Sequence, residues 1–321
     1  MRTESVYTSL VIALVLLFAA RSSAQSDAPV NAPEFPLTIR KVKLNDTLQL
    51  AYTDVGQARD GILLFVHGLG SNLRAWDKTI AGLSDRFRCV AVDLPGYGHS
   101  SREKHPATVT YYADQVEAFI RELGLPSLTL IGHSMGGQIA LELASRRPGW
   151  LERLVLAAPA GLETFSEQDR QFFATYVRPE FIQALTPAQI EANFDLNFHG
   201  GTPADARFMI DDRMTLREDS AAYTQYTHLI AGSVAGMLAG PVRHKLGEVS
   251  VPTLVVFGHE DRLIPNQALH PGLTVKDVGM VAVRGIPRVR VEYLHAAGHF
   301  VQWDRAAGFN DLVRAFMAEE K

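Results

Sequence analysis

The 321-residue chain has a single cysteine, Cys89, so no intrachain disulfide can form. Its place in the apolar run Arg88 to Val92 reads as a small core side chain and not as a reactive thiol. Excess positive charge is missing too. Lys and Arg number 31 against 35 Asp and Glu, a formal net charge of −4, which offers no nucleic-acid surface. No His-Glu-x-x-His pattern and no Cys pair marks a metal site, and there is no Gly-Lys-Ser/Thr phosphate loop. Gly68-Leu69-Gly70 lacks the third glycine of a dinucleotide fingerprint, because Leu73 stands in its place. Neither a metal nor a cofactor is therefore expected. The N-terminal apolar run, Leu10 to Ala20, is shorter than the roughly 20 residues that a spanning helix needs. Internal repeats and low-complexity tracts are absent.

That short run has the layout of an export signal. Arg2 precedes it, and Ser22-Ser23-Ala24 place small residues before Gln25. Residues 1–24 are expected to be a signal peptide and 25–36, rich in Ala, Pro, Ser and Asp, a flexible lead-in. The expected location is secreted or periplasmic, with no stable membrane span once the leader is removed. An uncleaved anchor is the alternative.

What the rest contains is alternation. Leu37 to Leu44 and Thr47 to Asp54 read as two strands joined at Asn45-Asp46. Ile62 to Val66, Arg88 to Val92, Leu128 to Ile131, Leu154 to Ala158 and Thr253 to Gly258 are apolar runs that read as buried strands, and Arg288 to Leu294 reads as a last strand. Helical spacing separates several of them, as in Val116, Phe119, Ile120 and Leu123. This predicts an α/β class with a mostly parallel sheet covered on both faces. The alternation stops from 161 to 247, a mostly helical and aromatic-rich stretch that reads as a cap inserted into a core of 37–160 and 248–321.

The chemistry centres on Gly132-His133-Ser134-Met135-Gly136, which lies where a strand turns sharply into a helix. That context makes Ser134 a candidate nucleophile at an elbow, with the Met135 N–H at the helix start as an oxyanion donor. A serine hydroxyl needs a base, most often histidine. Of eleven histidines, His299 follows the last strand and so shares the sheet edge with Ser134; His295 is its local competitor. The base needs an acid to orient it. Asp261 follows the Thr253 to Gly258 strand, with Glu260 as the alternative, and the loop after Ala158 offers no acid. The second oxyanion donor is expected from the loop after Val66, at the Leu69 N–H, with His67 bracing that loop.

Those motifs together resemble the α/β-hydrolase superfamily. The elements are His67-Gly68, Asp93 to Ser100, Gly132 to Gly137, Gly258 to Pro265 and Gly298-His299, in that order, over most of the chain. The resemblance implies an eight-stranded, mostly parallel sheet with helices on both faces and an inserted helical cap. It implies Ser134 as nucleophile, Asp261 as acid, His299 as base, and the Leu69 and Met135 amides as oxyanion donors. Ser134 disfavours the relatives with an aspartate nucleophile, epoxide hydrolases and haloalkane dehalogenases. Carboxylesterases and lipases share the general pattern; Gly298 to Asp304 and Asp261 to Pro265 are also similar to meta-cleavage C–C bond hydrolases. Ester hydrolysis is the favoured expectation, on a small-molecule ester with an apolar acyl or aromatic part. C–C bond cleavage is the alternative, and a hydrolase-like ligand receptor the non-enzyme reading. No motif sets the arginines at 170, 178, 207, 213 and 217 against a pocket, and Arg213 reads as a surface ion-pair partner.

Overall fold

A computed structural model describes residues 36–320. The expected signal segment 1–24 and lead-in residues 25–35 lie outside the described residues. No helix among those described is long and apolar enough to cross a membrane. The strands are β1 (Arg40–Lys43), β2 (Gln49–Val55), β3 (Ile62–Val66), β4 (Arg88–Val92), β5 (Leu128–His133), β6 (Leu151–Ala157), β7 (Thr253–Gly258) and β8 (Val289–Leu294). They form one sheet in the order β1-β2-β4-β3-β5-β6-β7-β8. Pairings from β4 through β8 are parallel, and β2 runs antiparallel to both its neighbours. The predicted mostly parallel sheet is thus present. The first hairpin turns where expected, because the Asn45 side-chain oxygen accepts from the Thr47 and Leu48 amides, both at 2.9 Å, an Asx turn.

Helices fill the connections: α1 (Asp77–Leu83), α2 (Val109–Glu122), α3 (Met135–Ser145), α4 (Glu167–Tyr176), α5 (Pro179–Gln183), α6 (Pro187–Asp195), α7 (Phe208–Glu218), α8 (Ser220–Ala239), α9 (Val275–Gly285), α10 (Val301–Asp304) and α11 (Ala306–Ala318). The period of two along β3 splits the core. Leu63 and Phe65 face a layer containing Ile80 of α1 and Phe309 of α11, with Cys89 buried among them. Leu64 and Val66 face the opposite layer, with Val116 of α2 and Ile139 of α3. Both faces are covered, which is why these strands read as continuous apolar runs.

The segment 267–287 contains the β7–β8 crossover helix α9. Thr274 and Asp277 form a capping box at its start. Val278 and Ala282 then pack into the sheet layer. Between β6 and β7 the chain makes α4 to α8. Gln138 on α3 ties the end of α8 to the sheet layers, donating to the Met237 and Gly240 carbonyls at 2.9 Å each. Parallel strand direction carries the functional consequence. The loops after β3, β5, β7 and β8 all leave from one edge of the sheet.

Candidate active site

Ser134 is the first residue past β5 and the N-cap of α3, with φ 52° and ψ −116°. A non-glycine residue in that region is strained, and the surroundings must hold it there. Two glycines make the turn possible. A methyl on Gly132 would lie 2.3 Å from the Gly136 carbonyl oxygen, and one on Gly136 would lie 2.3 Å from that of Val66. The Gly-x-Ser-x-Gly spacing is therefore a packing requirement as well as a pattern. The first bond of α3 runs from Gln138 N–H to the Ser134 carbonyl, so the amides of Met135, Gly136 and Gly137 precede the helical ladder. They are the partial positive end of the helix.

Asp261 and His299 meet. The Asp261 Oδ2 lies 2.8 Å from His299 Nδ1, with both side chains buried. A carboxylate oxygen accepts, so Nδ1 is the donor, and in the neutral imidazole that tautomer leaves the lone pair on Nε2. The other Asp261 oxygen accepts from the Leu263 and Ile264 amides at 2.8 and 3.1 Å, which fixes the carboxylate. Glu260 is turned elsewhere, accepting from the Ala297 amide at 3.1 Å. The side chain of His295 is 78% exposed. Asp304 holds the other flank of the His299 loop, its Oδ2 accepting from the Gly298 and His199 amides at 2.8 Å each.

The loop after β3 closes against the elbow. A methyl on Gly68 would sit 3.0 Å from Ser134 Cβ. His67 braces that loop as expected. It donates from Nδ1 to the Gly68 carbonyl at 2.8 Å and accepts at Nε2 from the Leu94 amide at 3.1 Å. Burial holds its ionisation below the usual histidine range. Asp93 organises the adjoining Asp93 to Ser100 loop, its two oxygens accepting from the Leu73 and His99 amides at 2.7 and 2.8 Å.

Leu69, Ser134 and His299 line one cavity of about 590 Å³, a volume suited to a small molecule. Met135 is fully buried behind it. The cavity walls include Phe165, Phe173, Val234, Met237, Leu238 and Ile264. Two of the aromatics in the segment between β6 and β7 thus face it, and others stack on one another, as Tyr223 does on Tyr226.

Three side chains beside the cavity had no signal in the sequence. His133 is buried under His299, ring centroids 4.8 Å apart. Its Nε2 donates to the His299 carbonyl at 3.0 Å, and burial, helped by the neighbouring His299, keeps it neutral far below its ordinary range. Its place as a variable position of the pentapeptide concealed it. Glu163 lines the cavity and accepts from the Asn266 amide at 2.9 and 3.1 Å, with His270 Nδ1 on the same carboxylate; burial pushes it up. Arg213, expected in a surface ion pair, instead crosses from α7 to the loop after β3. It donates to the Gly70 carbonyl at 2.9 Å and lies 4.2 Å over the Tyr226 ring. The contact spans 143 residues, which no local pattern reveals. Arg170 also reaches the cavity wall, already paired with Glu167 at 2.9 Å.

The chain is 28% identical over 277 residues to the dihydrolipoyllysine-residue acetyltransferase component of the acetoin cleaving system of Cupriavidus necator, covering 84% of this chain and 66% of that protein. It is 30% identical over 305 residues to the 2-hydroxymuconate semialdehyde hydrolase of Pseudomonas sp. strain CF600, covering 91% of this chain and 97% of that one. It is 31% identical over 232 residues to the pimeloyl-[acyl-carrier protein] methyl ester esterase of Vibrio cholerae, covering 68% of this chain and 82% of the other. The family model for the alpha/beta hydrolase fold matches residues 61–306. With that match and the sheet order above, the chain belongs to the alpha/beta hydrolase family.

Proposed function

We propose that the chain is a serine hydrolase that cleaves carboxylic esters through an acyl-enzyme. The observation that carries this reading is the 2.8 Å contact between Asp261 and His299 beside a cavity that Ser134 also faces. In the proposed reaction His299 Nε2 takes the Ser134 hydroxyl proton as Oγ attacks the ester carbonyl. Charge on the carbonyl oxygen is taken up by the Leu69 and Met135 amides. Asp261 holds the tautomer and steadies the imidazolium. Collapse expels the alcohol, which receives the proton from His299. Water then repeats the sequence on the acyl-enzyme and releases the acid. The helices between β6 and β7 act as the cap that shapes the acyl pocket.

The charges around the cavity support a neutral acyl group. Arg170 is matched by Glu167, and Glu163 brings a carboxylate to the wall. A substrate carboxylate would need a free buried cation there. The similarity to a pimeloyl methyl ester esterase supports the same reading. A second reading, C–C bond hydrolysis, is favoured by the 30% identity to the 2-hydroxymuconate semialdehyde hydrolase over nearly the whole of both chains.

The test is a comparison of p-nitrophenyl esters of graded chain length with a ring-fission dienol keto acid on the same enzyme. Short- to medium-chain esters are expected to exceed the keto acid by at least about tenfold in kcat/KM, a difference of about 1.4 kcal/mol. Faster C–C cleavage, lost in Arg170→Ala, supports the second reading. Ser134→Ala is expected to lower kcat by a factor on the order of 10⁶ and to abolish fluorophosphonate labelling. Hydrolysis by that variant at the parent rate refutes the assignment of the nucleophile.

A further inference from the structure

Outside the cavity, a second group of side chains gathers at the same sheet edge. We propose that His259, Glu260 and His295 form a binding site for a divalent transition-metal ion of the zinc type. One donor atom from each lies within 4.8 Å of the others. A single carboxylate oxygen, Glu260 Oε1, stands 3.7 Å from His259 Nδ1 and 4.0 Å from His295 Nδ1. The two imidazoles are 4.6 Å apart at their centroids and tilted by 30°. Metal–ligand distances of about 2.0–2.2 Å in a tetrahedral shell set donor atoms roughly 3.3–3.5 Å from one another. Closing the widest separation, up to 4.8 Å, takes a relative shift of about 1.5 Å at most, shared between side chains that are partly exposed. Water completes the shell from the solvent side.

The scaffold under the three ligands is already locked. The His259 amide donates to the Leu294 carbonyl at 2.9 Å and the Glu260 amide to the Ala297 carbonyl at 3.0 Å. The Ala297 amide returns a bond to Glu260 Oε2 at 3.1 Å. That last bond fixes the carboxylate and leaves Oε1 toward the imidazoles, the outer-shell arrangement that orients metal ligands. Ala296, with φ 54°, makes the tight turn between His295 and Ala297. Two imidazoles and one carboxylate suit zinc, nickel or copper, and offer too few oxygens for calcium or magnesium. The absence of a contiguous metal motif does not bear on this cluster, because its ligands come from two loops 35 residues apart in the chain. One loop continues into Asp261 and the other into His299, so a bound ion would cross-link the two segments that carry the acid–imidazole pair.

The experiment uses tag-free full-length protein, stripped with chelator and titrated with Zn²⁺ by calorimetry, with Co²⁺ absorption as a reporter of tetrahedral coordination. One ion per chain is expected, with a rise in unfolding temperature and no response to Mg²⁺ or Ca²⁺. His259→Ala and His295→Ala should each weaken binding by at least roughly the tenfold that loss of an outer-shell partner costs. Circular dichroism establishes that these surface variants stay folded. Absence of Zn²⁺ binding, or binding left unchanged in the double variant, overturns the site.

Discussion

Asp77, the first residue of α1, provides a quantitative test of the packing beneath the loop after β3. Its side chain is 8% exposed, and burial pushes its carboxyl from 3.8 up to about 7, against partial relief from Arg74. Arg74 Nε is 3.4 Å from Oδ2, while Oδ1 is buried without a hydrogen-bond partner among the described residues. A folded-state value above the unfolded one favours the protonated form. The contribution to stability is complete below about 3.8 and is lost as pH rises through about 7. At pH 8 the ionised group then costs about 4 kcal/mol relative to a neutral one. The positive end of α1 returns up to about 1 kcal/mol of this. Asp77→Asn removes the charge at nearly constant volume. Urea unfolding should show the variant more stable by about 3 kcal/mol at pH 8, with the difference smaller by about 2–3 kcal/mol at pH 5. The asparagine amide brings donors of its own into the site, so the pH slope is more telling than the absolute difference. A difference independent of pH, or one that grows toward pH 5, refutes the buried-carboxylate argument.

Three further outcomes are expected. Gly136→Ala drives a methyl to 2.3 Å from the Val66 carbonyl oxygen and 2.6 Å from that of His67; it should destabilise by about 3 kcal/mol or more, read as a lowered urea midpoint, and an unchanged midpoint contradicts the elbow packing. Arg213→Ala removes a charge-assisted bond to the Gly70 carbonyl; ester kcat/KM should fall at least about tenfold through loss of about 1.5 kcal/mol or more, with circular dichroism unchanged, whereas parental activity would remove Arg213 from the positioning of that loop. For the N-terminus, export and cleavage after Ala24 are proposed; sequencing of the exported protein should begin at Gln25, and Met1 intact in a membrane fraction would favour the anchor.

What could be read from the sequence followed the range of the interactions. β3 and β4 end where their apolar runs end, because strands buried on both faces leave no polar residue to blur the boundary. Ser134 was legible because a strained turn needs small neighbours, and Gly132 and Gly136 record that need locally. Asp261 and His299 were legible for a topological reason. Parallel strands send their following loops to one edge, so a residue just past β7 and one just past β8 must be neighbours although 38 positions apart. The contacts that stayed hidden obey no such rule. Arg213 lies on a helix outside the sheet, and which loop it reaches depends on how α7 and α8 lie over the sheet edge. An arginine following Asp211 and Asp212 therefore looked like an ion-pair partner, while its guanidinium is held by a carbonyl and an aromatic face. Glu163 and His270 are hidden in the same way, since one follows β6 and the other precedes α9, and only the folded loops bring the imidazole to the carboxylate. The distinction bears directly on function. The residues that sheet topology brings together, Asp261 and His299, are those the proposed acyl transfer uses, whereas Glu163 and Arg170 line the cavity and Arg213 holds the loop after β3. Substrate choice is therefore the property that calls for the folded structure, and substitution at these three positions should alter selectivity among esters more than it alters fluorophosphonate labelling of Ser134.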